Sequence, residues 1–582
     1  MTSDKKRMTN LIFLLALSIF AWAPLLHPAY FFQAHDARHS IFYLVEFDQT
    51  LRDGYLWPRW SPDFAFGYGY PLFNLYAPLA IYAAEIVHLL GVSMVWSVKT
   101  IYILSTIGAG VGMYGFTRRL FGENAALIAG LAYMFAPFHF VEIYVRSAYA
   151  EYVALMLLPL VLWAFTELIA RPSPRRMALA GASYGVLALT HHSTFFTFTP
   201  FLLLYIFTLM IGAAKTNLRA WGRQVAFNAG AGVLGVALAG IYIVPVLLEQ
   251  KYIKIEQWTS GSYNFAEHFV YFSQFLSPFW GYGYAGPGPV DFMPYQIGIA
   301  IFGLAVVGTV ALAAFAPQMR HRGTMVIFVV ATLFSIWLMS PLGEPLWRAL
   351  PVAALVQFPW RLLIITMLSA AVVIGGGVAA LKLDGAPLML SAVVLVLAGY
   401  GYTQPQYTPI PDWADTPLAV INWDSGSISD RVGMVAVTDE QPTTSPMEAQ
   451  YRAGEPLSVA TVLSGDATVE TVRHGGASDT VKFRGGAATV QFYTYNFPGW
   501  QVKIDGKLVP HRHQPPFGLI TVDVPAGEHT ISLRMGTTPA RTIGGALSLL
   551  ALVAIGYWLI GDWRLEIGHL SLVIRHLLIT DR

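Results

Sequence analysis

The 582-residue chain contains no cysteine and few charged residues. The absence of cysteine excludes disulfide bonds, thiolate metal ligands and a cysteine nucleophile. Charged residues make up 12% of the chain, whereas soluble proteins usually have about 25%. The formal net charge of +2 gives no reason to expect binding to nucleic acid. The sequence also lacks a phosphate-binding Gly-Lys-Ser/Thr loop and a His-Glu-x-x-His metal-binding helix.

Apolar sequence, in contrast, is abundant. Hydrophobic residues make up 55% of the chain and the mean hydropathy is +0.52. Many apolar runs reach the roughly 20 residues that a helix needs to cross a bilayer. We expect a polytopic α-helical membrane protein with about twelve spans, at residues 10–29, 97–117, 122–139, 150–170, 177–192, 194–213, 225–248, 296–317, 324–341, 359–381, 387–402 and 541–562. No small-residue cleavage site follows the first run, which favours a retained helix over a signal peptide.

The positions of lysine and arginine predict the topology. The basic clusters between the spans all fall on one side of the membrane if residues 71–91 do not cross it. Because such clusters concentrate on the cytoplasmic side, we expect 71–91 to be a re-entrant or interfacial helix on the outer side. Both termini are then cytoplasmic, and the outer side contains residues 30–96, 140–150, 249–295 and 403–540.

Three parts of the chain follow from this pattern. Residues 1–402 form the membrane domain, which includes the outer juxtamembrane loop 30–96. Residues 403–540 are more polar and contain short runs of alternating apolar and polar residues separated by turn signals, such as Asp505-Gly506. That pattern predicts an antiparallel β-sandwich on the outer face. Residues 541–582 form the closing transmembrane helix and a cytoplasmic tail.

A polar loop follows the first span and contains His35, Asp36 and His39. A carboxylate at the outer mouth of a membrane helix can act as a general base toward an acceptor hydroxyl. Asp36 can equally help to bind a divalent cation such as Mg²⁺ or Mn²⁺ together with a neighbouring histidine. A third interpretation is that Asp36 caps the helix that begins near Ala37.

A second cluster lies at the outer end of the next spans. Glu142, Arg146 and Tyr149 share one face if the segment is helical, and Glu151 follows. Arg146 can bind a phosphate, with Glu142 or Glu151 as a second catalytic carboxylate or a metal ligand. An internal ion pair between Glu142 and Arg146 is the structural alternative.

Two further polar groups are predicted at the outer ends of spans. His191 and His192 end an apolar run, and we expect one of them to contact a phosphate or a sugar. The segment Gln357-Phe-Pro-Trp-Arg361 puts an arginine on the outer side, where it needs an anionic partner such as a phosphate, unless it extends to lipid headgroups. Several aromatic residues of 249–295 either stack on sugar rings or form an interfacial belt: Trp258, Tyr263, Tyr271, Trp280, Tyr282 and Tyr284.

The chain resembles the GT-C superfamily of integral-membrane glycosyltransferases, in particular the branch with lipid A aminoarabinose transferase and protein O-mannosyltransferases. The residues that carry this resemblance are Asp36-Ala-Arg-His39 after the first span, Gly-Tyr-Leu-Trp-Pro-Arg at 54–59, a Pro-Leu-containing helix from Pro71, and Arg118-Arg119. The chain is also similar to bacterial YfhO-like, 6-pyruvoyl-tetrahydropterin-synthase-related membrane proteins, through Gln357–Arg361 and the segment 497–506 (Phe-Pro-Gly-Trp-Gln-Val-Lys-Ile-Asp-Gly).

The GT-C resemblance implies an inverting glycosyltransferase of the bacterial plasma membrane with its active face outside. Its donor would be a polyprenyl-phosphate sugar, because nucleotide sugars are cytoplasmic, and its acceptor a glycan, a lipid or a protein. Asp36 would act as base or metal ligand, and no redox cofactor is needed. The residues expected to contact substrate are His35, His39, Arg59, Arg146, Tyr149, His191, His192, Gln357 and Arg361. The alternative function is a transporter or flippase of lipid-linked glycans, in which the same outer charges would line a pathway.

Overall fold

The computed structural model describes residues 3–214, 218–315, 321–426 and 434–579. Helices dominate as far as residue 400, and each predicted span coincides with one helix or with two helices joined at a bend. The helices are α1 (Ser3–Trp22), α2 (Ala37–Arg52), α3 (Leu72–Leu75), α4 (Leu79–Leu89), α5 (Met94–Phe121), α6 (Glu123–Met134), α7 (Pro137–Phe140), α8 (Tyr149–Ala170), α9 (Pro174–Thr190), α10 (His192–Ala214), α11 (Leu218–Leu238), α12 (Gly240–Glu249), α13 (Ile299–Phe315), α14 (Arg322–Met339), α15 (Glu344–Ala349), α16 (Leu363–Ala380), α17 (Gly385–Tyr400), α18 (Leu418–Gly426), α19 (Glu448–Ala453) and α20 (Pro539–Ile579).

Many of these helices are long and apolar enough to cross a membrane. Within the described ranges seven pass a test of length and composition, and the number is nine if each of two bent pairs counts as one span. The bends are 43° between α6 and the segment Pro137–Val145, and 69° between α11 and α12 with its extension to Tyr252. The remaining predicted spans, α9, α13 and α17, are helices of 16 or 17 residues. The chain is therefore a polytopic helical membrane protein.

Small residues allow the membrane helices to pack closely. A Cβ atom on Gly181 of α9 would lie 2.9 Å from the carbonyl oxygen of Ala231 in α11, and one on Gly185 would lie 2.7 Å from that of Gly235. Only glycine permits this approach, which matches the small-xxx-small pattern of helix pairs in lipid, where packing rather than hydrophobic burial drives association.

The outer juxtamembrane loop forms α2, α3 and α4. Residues 71–91, predicted as a re-entrant or interfacial helix, form the four-residue α3 and the eleven-residue α4. An eleven-residue helix is about 16 Å long and is too short to span a bilayer by itself. Together, α2 and α4 pack against α5 and provide a platform at its N-terminal end.

The predicted β-sandwich is present, and its first strand begins at Ala460. Its two antiparallel sheets have the strand orders β1-β4-β8-β7 and β2-β3-β9-β5-β6, and alternate side chains of strands such as β5 are buried between them. The strands are β1 (Ala460–Ser464), β2 (Ala467–His474), β3 (Ser478–Gly485), β4 (Ala488–Tyr495), β5 (Trp500–Ile504), β6 (Lys507–Val509), β7 (Arg512–Gln514), β8 (Leu519–Val524) and β9 (Gly527–Met535).

The described part of residues 403–459 contains no strand of the two sheets. It consists of loops with the short helices α18 and α19. The segment contacts both domains: α18 packs on the membrane domain, whereas Val435, Met447 and Val459 belong to the hydrophobic core of the sandwich. Trp423 of α18 contacts Phe42 of α2 at a ring-centroid distance of 5.9 Å.

The sandwich is fixed to the juxtamembrane loop through Asp53, which follows α2. The buried Asp53 carboxylate accepts hydrogen bonds from the backbone N–H of Ala477 (3.0 Å) and from the Ser478 hydroxyl, and forms an ion pair with Arg473. Trp60 of the same loop packs edge-to-face on Trp500 at 5.2 Å. The C-terminal end of α2 therefore contacts the β-domain, and Asp36 immediately precedes its N-terminal end.

Candidate active site

A cavity of about 270 Å³ lies at the junction of the membrane helices, the juxtamembrane loop and α18. It brings together side chains that are far apart in the sequence. Eight of the residues predicted to contact substrate or to act in catalysis line it: His35, Asp36, His39, Arg146, Tyr149, Glu151, His191 and Arg361.

Backbone hydrogen bonds place Asp36 beside Arg146. The N–H of His35 donates to the carbonyl oxygen of Val145 (3.0 Å), and the N–H of Asp36 donates to that of Arg146 (2.7 Å). These two hydrogen bonds hold the two segments together, although they are more than 100 residues apart.

The Asp36 carboxylate is open to the cavity. Asp36 occupies the N-cap position of α2, as one interpretation of the sequence predicted, but its side chain makes no capping hydrogen bond. About half of the side chain is exposed (49%), and Oδ1 lies 3.8 Å from Nδ1 of His39. The carboxylate is therefore available to a ligand and is not consumed by the helix terminus.

Arg146 follows one turn of π-helix, Val141–Val145, a conformation that is uncommon and often found at functional sites. Its guanidinium forms an ion pair with Glu142 and donates a 3.0 Å hydrogen bond to Glu151. The carboxylates outweigh the effect of burial and hold the pKa of Arg146 above its ordinary value. Arg146 also lies over the ring of Trp360, with 4.4 Å from Cζ to the ring centroid.

Arg361 is the second arginine beside Glu151. Its Nη1 donates to the carbonyl oxygen of Val356 (2.8 Å), to Oε1 of Gln357 (3.0 Å) and to the Ser193 hydroxyl (3.3 Å). Its Nε is buried without a hydrogen-bond partner among the described residues, since Oε2 of Glu151 is 3.7 Å away. Arg361 therefore has donor capacity left for an anion.

The histidines differ in their environments. Nδ1 of His191 accepts a hydrogen bond from the backbone N–H of Thr194 at 3.3 Å, so Nε2 carries the proton in the neutral ring. The ring of His35 stacks on Tyr284 with centroids 4.2 Å apart, and burial lowers the pKa of His35, which favours its neutral form.

Four predicted site residues do not line the cavity. Glu142 is fully buried behind Arg146. Gln357 lies outside the cavity, where its Oε1 accepts a hydrogen bond from Arg361 and its Nε2 donates to the backbone carbonyl oxygen of Trp258. His192 packs near Tyr76 with ring centroids 6.4 Å apart. Arg59 lies elsewhere, where it donates to Asn74 (2.9 Å) and to the carbonyl oxygen of Ile241 (3.0 Å).

Several lining residues were not singled out from the sequence. Tyr43 follows Asp36 by seven positions and His39 by four, so helical spacing alone would place it on their face of α2. Tyr76 and Trp423 also line the cavity, and no local pattern marks either of them. Two of the aromatic residues proposed for sugar stacking, Tyr263 and Tyr284, do line the cavity.

Over the described ranges, no three His, Asp or Glu side chains are grouped so that they could hold a metal ion. Asp36 and His39 are the nearest such pair in the cavity. A role of Asp36 as a ligand of Mg²⁺ or Mn²⁺ stays a prediction, in which the substrate would have to supply further ligands.

An apolar groove of about 550 Å³ lies between α10, α14 and the segment that follows α15. Its lining is apolar except for the hydroxyl groups of Thr197 and Ser335. Val356 and Leu362 are among its lining residues. Because Arg361 donates to the carbonyl oxygen of Val356, one hydrogen bond connects the lining of the polar cavity to the lining of the groove.

Solved structures similar to this chain include glycosyltransferases, with identities of 13–16% for the three named here. The arabinofuranosyltransferase AftD from Mycobacteria is 16% identical with a TM-score of 0.44, over 72% of this chain and 29% of that protein. The oligosaccharyltransferase AglB from Archaeoglobus fulgidus is 14% identical with a TM-score of 0.45, over 73% of this chain and 58% of that protein. ArnT from Cupriavidus metallidurans is 13% identical with a TM-score of 0.35, over 66% of this chain and 62% of that protein.

Comparison by sequence gives a relative and a family. An uncharacterized protein of Lactococcus lactis subsp. cremoris (strain MG1363) is 24% identical over 222 residues, which are 37% of this chain and 34% of that protein. The chain thus spans about a third of the length of that relative. The family model described as the 6-pyruvoyl-tetrahydropterin synthase related domain of membrane proteins matches residues 73–403. This match covers more than half of the chain and confirms one of the two resemblances drawn from the sequence. The chain belongs to the 6-pyruvoyl-tetrahydropterin-synthase-related family of integral membrane proteins.

Proposed function

We propose that the protein is a glycosyltransferase that moves a sugar from a polyprenyl-phosphate donor to an acceptor hydroxyl at the outer face of the bacterial plasma membrane. The observation that carries this proposal is the hydrogen bond between Arg361, which lines the polar cavity, and Val356, which lines the apolar groove. A polyprenyl-phosphate sugar has a matching succession of parts: a long apolar chain, an anionic phosphate and a polar ring.

The groove would take the polyprenyl chain. Its walls are helices that lie among the lipid-facing elements, and its lining offers almost no hydrogen-bonding groups. A water-soluble donor would gain nothing from such a surface, whereas a chain of isoprene units would bury apolar area along it. The lipid end of the donor would then enter from the bilayer while its head group reaches the cavity.

The phosphate would bind at Arg361. Its guanidinium is nearly buried, with 12% of the side chain exposed, and its Nε has no hydrogen-bond partner in the described part of the chain. Arginine suits a phosphate because its planar group can donate two parallel hydrogen bonds. The proton on Nε2 of His191, which also lines the cavity, offers a further donor.

Asp36 would act as the general base. In the proposed reaction the Asp36 carboxylate takes the proton from the acceptor hydroxyl while that oxygen forms a bond to the anomeric carbon. The bond between the anomeric carbon and the phosphate oxygen breaks, and the electron pair leaves with the polyprenyl phosphate. A single displacement of this kind inverts the anomeric configuration.

The other charged residues would position these groups. Glu142 and Glu151 fix Arg146, and Glu151 also stands between Arg146 and Arg361. Charges that are already oriented before the reaction stabilise the developing phosphate charge without the cost of reorganisation. Glu142 and Glu151 are thus positioning residues in this proposal, since the arginines occupy their carboxylates.

Transfer from a defined donor tests the proposal. The full-length protein in lipid nanodiscs would be incubated with undecaprenyl-phosphate sugars labelled in the sugar, and with membrane extract as the source of acceptor. We expect the label to leave the carrier and appear in a second molecule, with undecaprenyl phosphate released. In proteoliposomes, movement of intact labelled carrier across the bilayer without any transfer would contradict the proposal and support a flippase.

A further inference from the structure

A second, smaller cavity of about 150 Å³ adjoins the candidate active site. The two cavities share a wall formed by His39, Tyr43, Tyr76 and Trp423. The rings of this wall contact one another, with centroid distances of 4.4 Å for His39 and Trp423 and 5.3 Å for Tyr43 and Tyr76. Asp36 lies directly behind it, 3.8 Å from His39.

The two cavities differ in charge. Two arginines line the active-site cavity, whereas the described lining of the second cavity includes no arginine or lysine. Its one carboxylate, on Asp424, accepts a 2.9 Å hydrogen bond from the backbone N–H of Phe66. A phosphate would therefore be disfavoured in the second cavity, and a neutral ligand fits it better.

The lining of the second cavity is suited to a sugar. Trp258, Trp423 and Tyr70 offer aromatic faces, on which the C–H groups of a sugar ring can pack. The indole N–H of Trp258 is buried without a hydrogen-bond partner among the described residues. A buried donor of this kind costs free energy unless a ligand or a water molecule accepts its hydrogen bond.

The second cavity also extends to the β-domain. Tyr495 of β4 and Gln441 from the segment before α19 line its outer side. A ligand in this cavity would therefore lie between the β-sandwich and the shared wall, with one end next to Asp36.

We propose that the second cavity binds the acceptor, and that the acceptor presents a neutral sugar residue there, stacked on Trp258 or Trp423. This inference rests on the proposed transferase function and adds the class of acceptor and its binding site. A hydroxyl group of that sugar reaches the Asp36 carboxylate past His39, while the donor phosphate stays at Arg361 on the other side of the shared wall.

Ligand binding to the full-length protein in nanodiscs tests the proposal. The probes are a panel of methyl glycosides of neutral hexoses and pentoses, followed by saturation-transfer NMR, and undecaprenyl phosphate in a parallel assay. We expect at least one glycoside to bind. Replacement Trp258→Ala should weaken that binding about tenfold, since it removes both the stacking face and the indole donor, and should leave undecaprenyl phosphate binding unchanged.

Two variants sharpen the test. Trp258→Phe retains an aromatic face and removes the N–H group, so it should weaken glycoside binding by about threefold even if Trp258→Ala fails to fold. Trp221→Ala removes an exposed tryptophan of α11 that lines neither cavity, and it should bind the glycoside like wild type.

Three results would overturn the inference. One is that no glycoside of the panel binds. Another is that Trp258→Ala and Trp258→Phe bind the glycoside like wild type. The third is that, of the variants, only Arg361→Ala abolishes glycoside binding, which would put the sugar in the active-site cavity. Failure of the wild type to bind undecaprenyl phosphate, with glycoside binding intact, would instead count against the proposed donor.

Discussion

The backbone N–H of Asp36 donates a 2.7 Å hydrogen bond to the carbonyl oxygen of Arg146. This bond joins the loop after the first span to the π-helical turn before α8. It places the candidate base next to a cation that two carboxylates hold in position. The geometry of the candidate site therefore depends on a contact between distant segments.

Arg361 should determine the affinity for the carrier phosphate. Arg361→Ala removes a charged donor, and such hydrogen bonds contribute about 1.5–3 kcal/mol. We expect the affinity for undecaprenyl phosphate, measured by a competition assay in nanodiscs, to fall by about 10- to 100-fold. The control is Arg484→Ala, which removes an arginine that is exposed on the β-sandwich. Equal affinities of Arg361→Ala and wild type would place the phosphate elsewhere.

The apolar groove should discriminate carriers by chain length. Ala353→Trp puts a large side chain into the groove lining, so the affinity for undecaprenyl phosphate should fall while that for the short geranyl phosphate should not. The same assay with Ala314→Trp, at an exposed position of α13, controls for the added tryptophan. If Ala353→Trp weakens both carriers equally, the groove is not the site of the chain.

Glu142 should be required mainly for stability. Its removal leaves the charge of Arg146 buried with one partner fewer, and breaking a buried ion pair typically costs about 3–5 kcal/mol. We expect Glu142→Ala to lower the thermal unfolding temperature in detergent clearly, and Glu344→Ala, which breaks an exposed pair with Arg348, to change it little. An unaltered unfolding temperature in Glu142→Ala would contradict the assigned role.

The β-domain should lose stability in mildly alkaline solution. Burial by itself lowers the pKa of His474, but the Asp479 carboxylate outweighs it and raises the pKa from 6.5 to about 9. Because the folded state binds this proton more tightly, its stabilising effect is complete below about pH 6.5 and is lost as the pH rises to about 9. The thermal unfolding temperature should fall over this window in wild type and in the exposed control His513→Gln. A slope equally steep in His474→Gln would exclude His474 as the cause.

Much of the site could be predicted from the sequence because one physical rule applied to many residues at once. The bias of lysine and arginine puts Asp36, Arg146, His191 and Arg361 at the same ends of their spans, and all four do line one cavity. The alternation that predicted the β-sandwich likewise reflects one buried face, as in β5, but the three-residue strands β6 and β7 show no such alternation.

The rest depended on contacts that no local pattern encodes. Trp423 lines both cavities because α18 packs on α2. Nothing in the sequence of either helix predicts this contact. The predicted domain 403–540 begins where the polarity rises, whereas its first strand begins at Ala460, because the segment between them forms loops and short helices. Arg59 belongs to the same predicted loop as Asp36. In the fold, however, its guanidinium donates to Asn74 and to the carbonyl oxygen of Ile241 in α12, outside the cavity.

The rate of sugar transfer by Asp36→Asn tests whether Asp36 is the general base. Loss of a general base typically slows a reaction about 100- to 10,000-fold. We predict a loss of this size in the rate at which label leaves the undecaprenyl-phosphate sugar, with undecaprenyl phosphate binding retained and with Asp466→Asn, an exposed turn residue, as active as wild type. Transfer by Asp36→Asn at the wild-type rate would contradict the account.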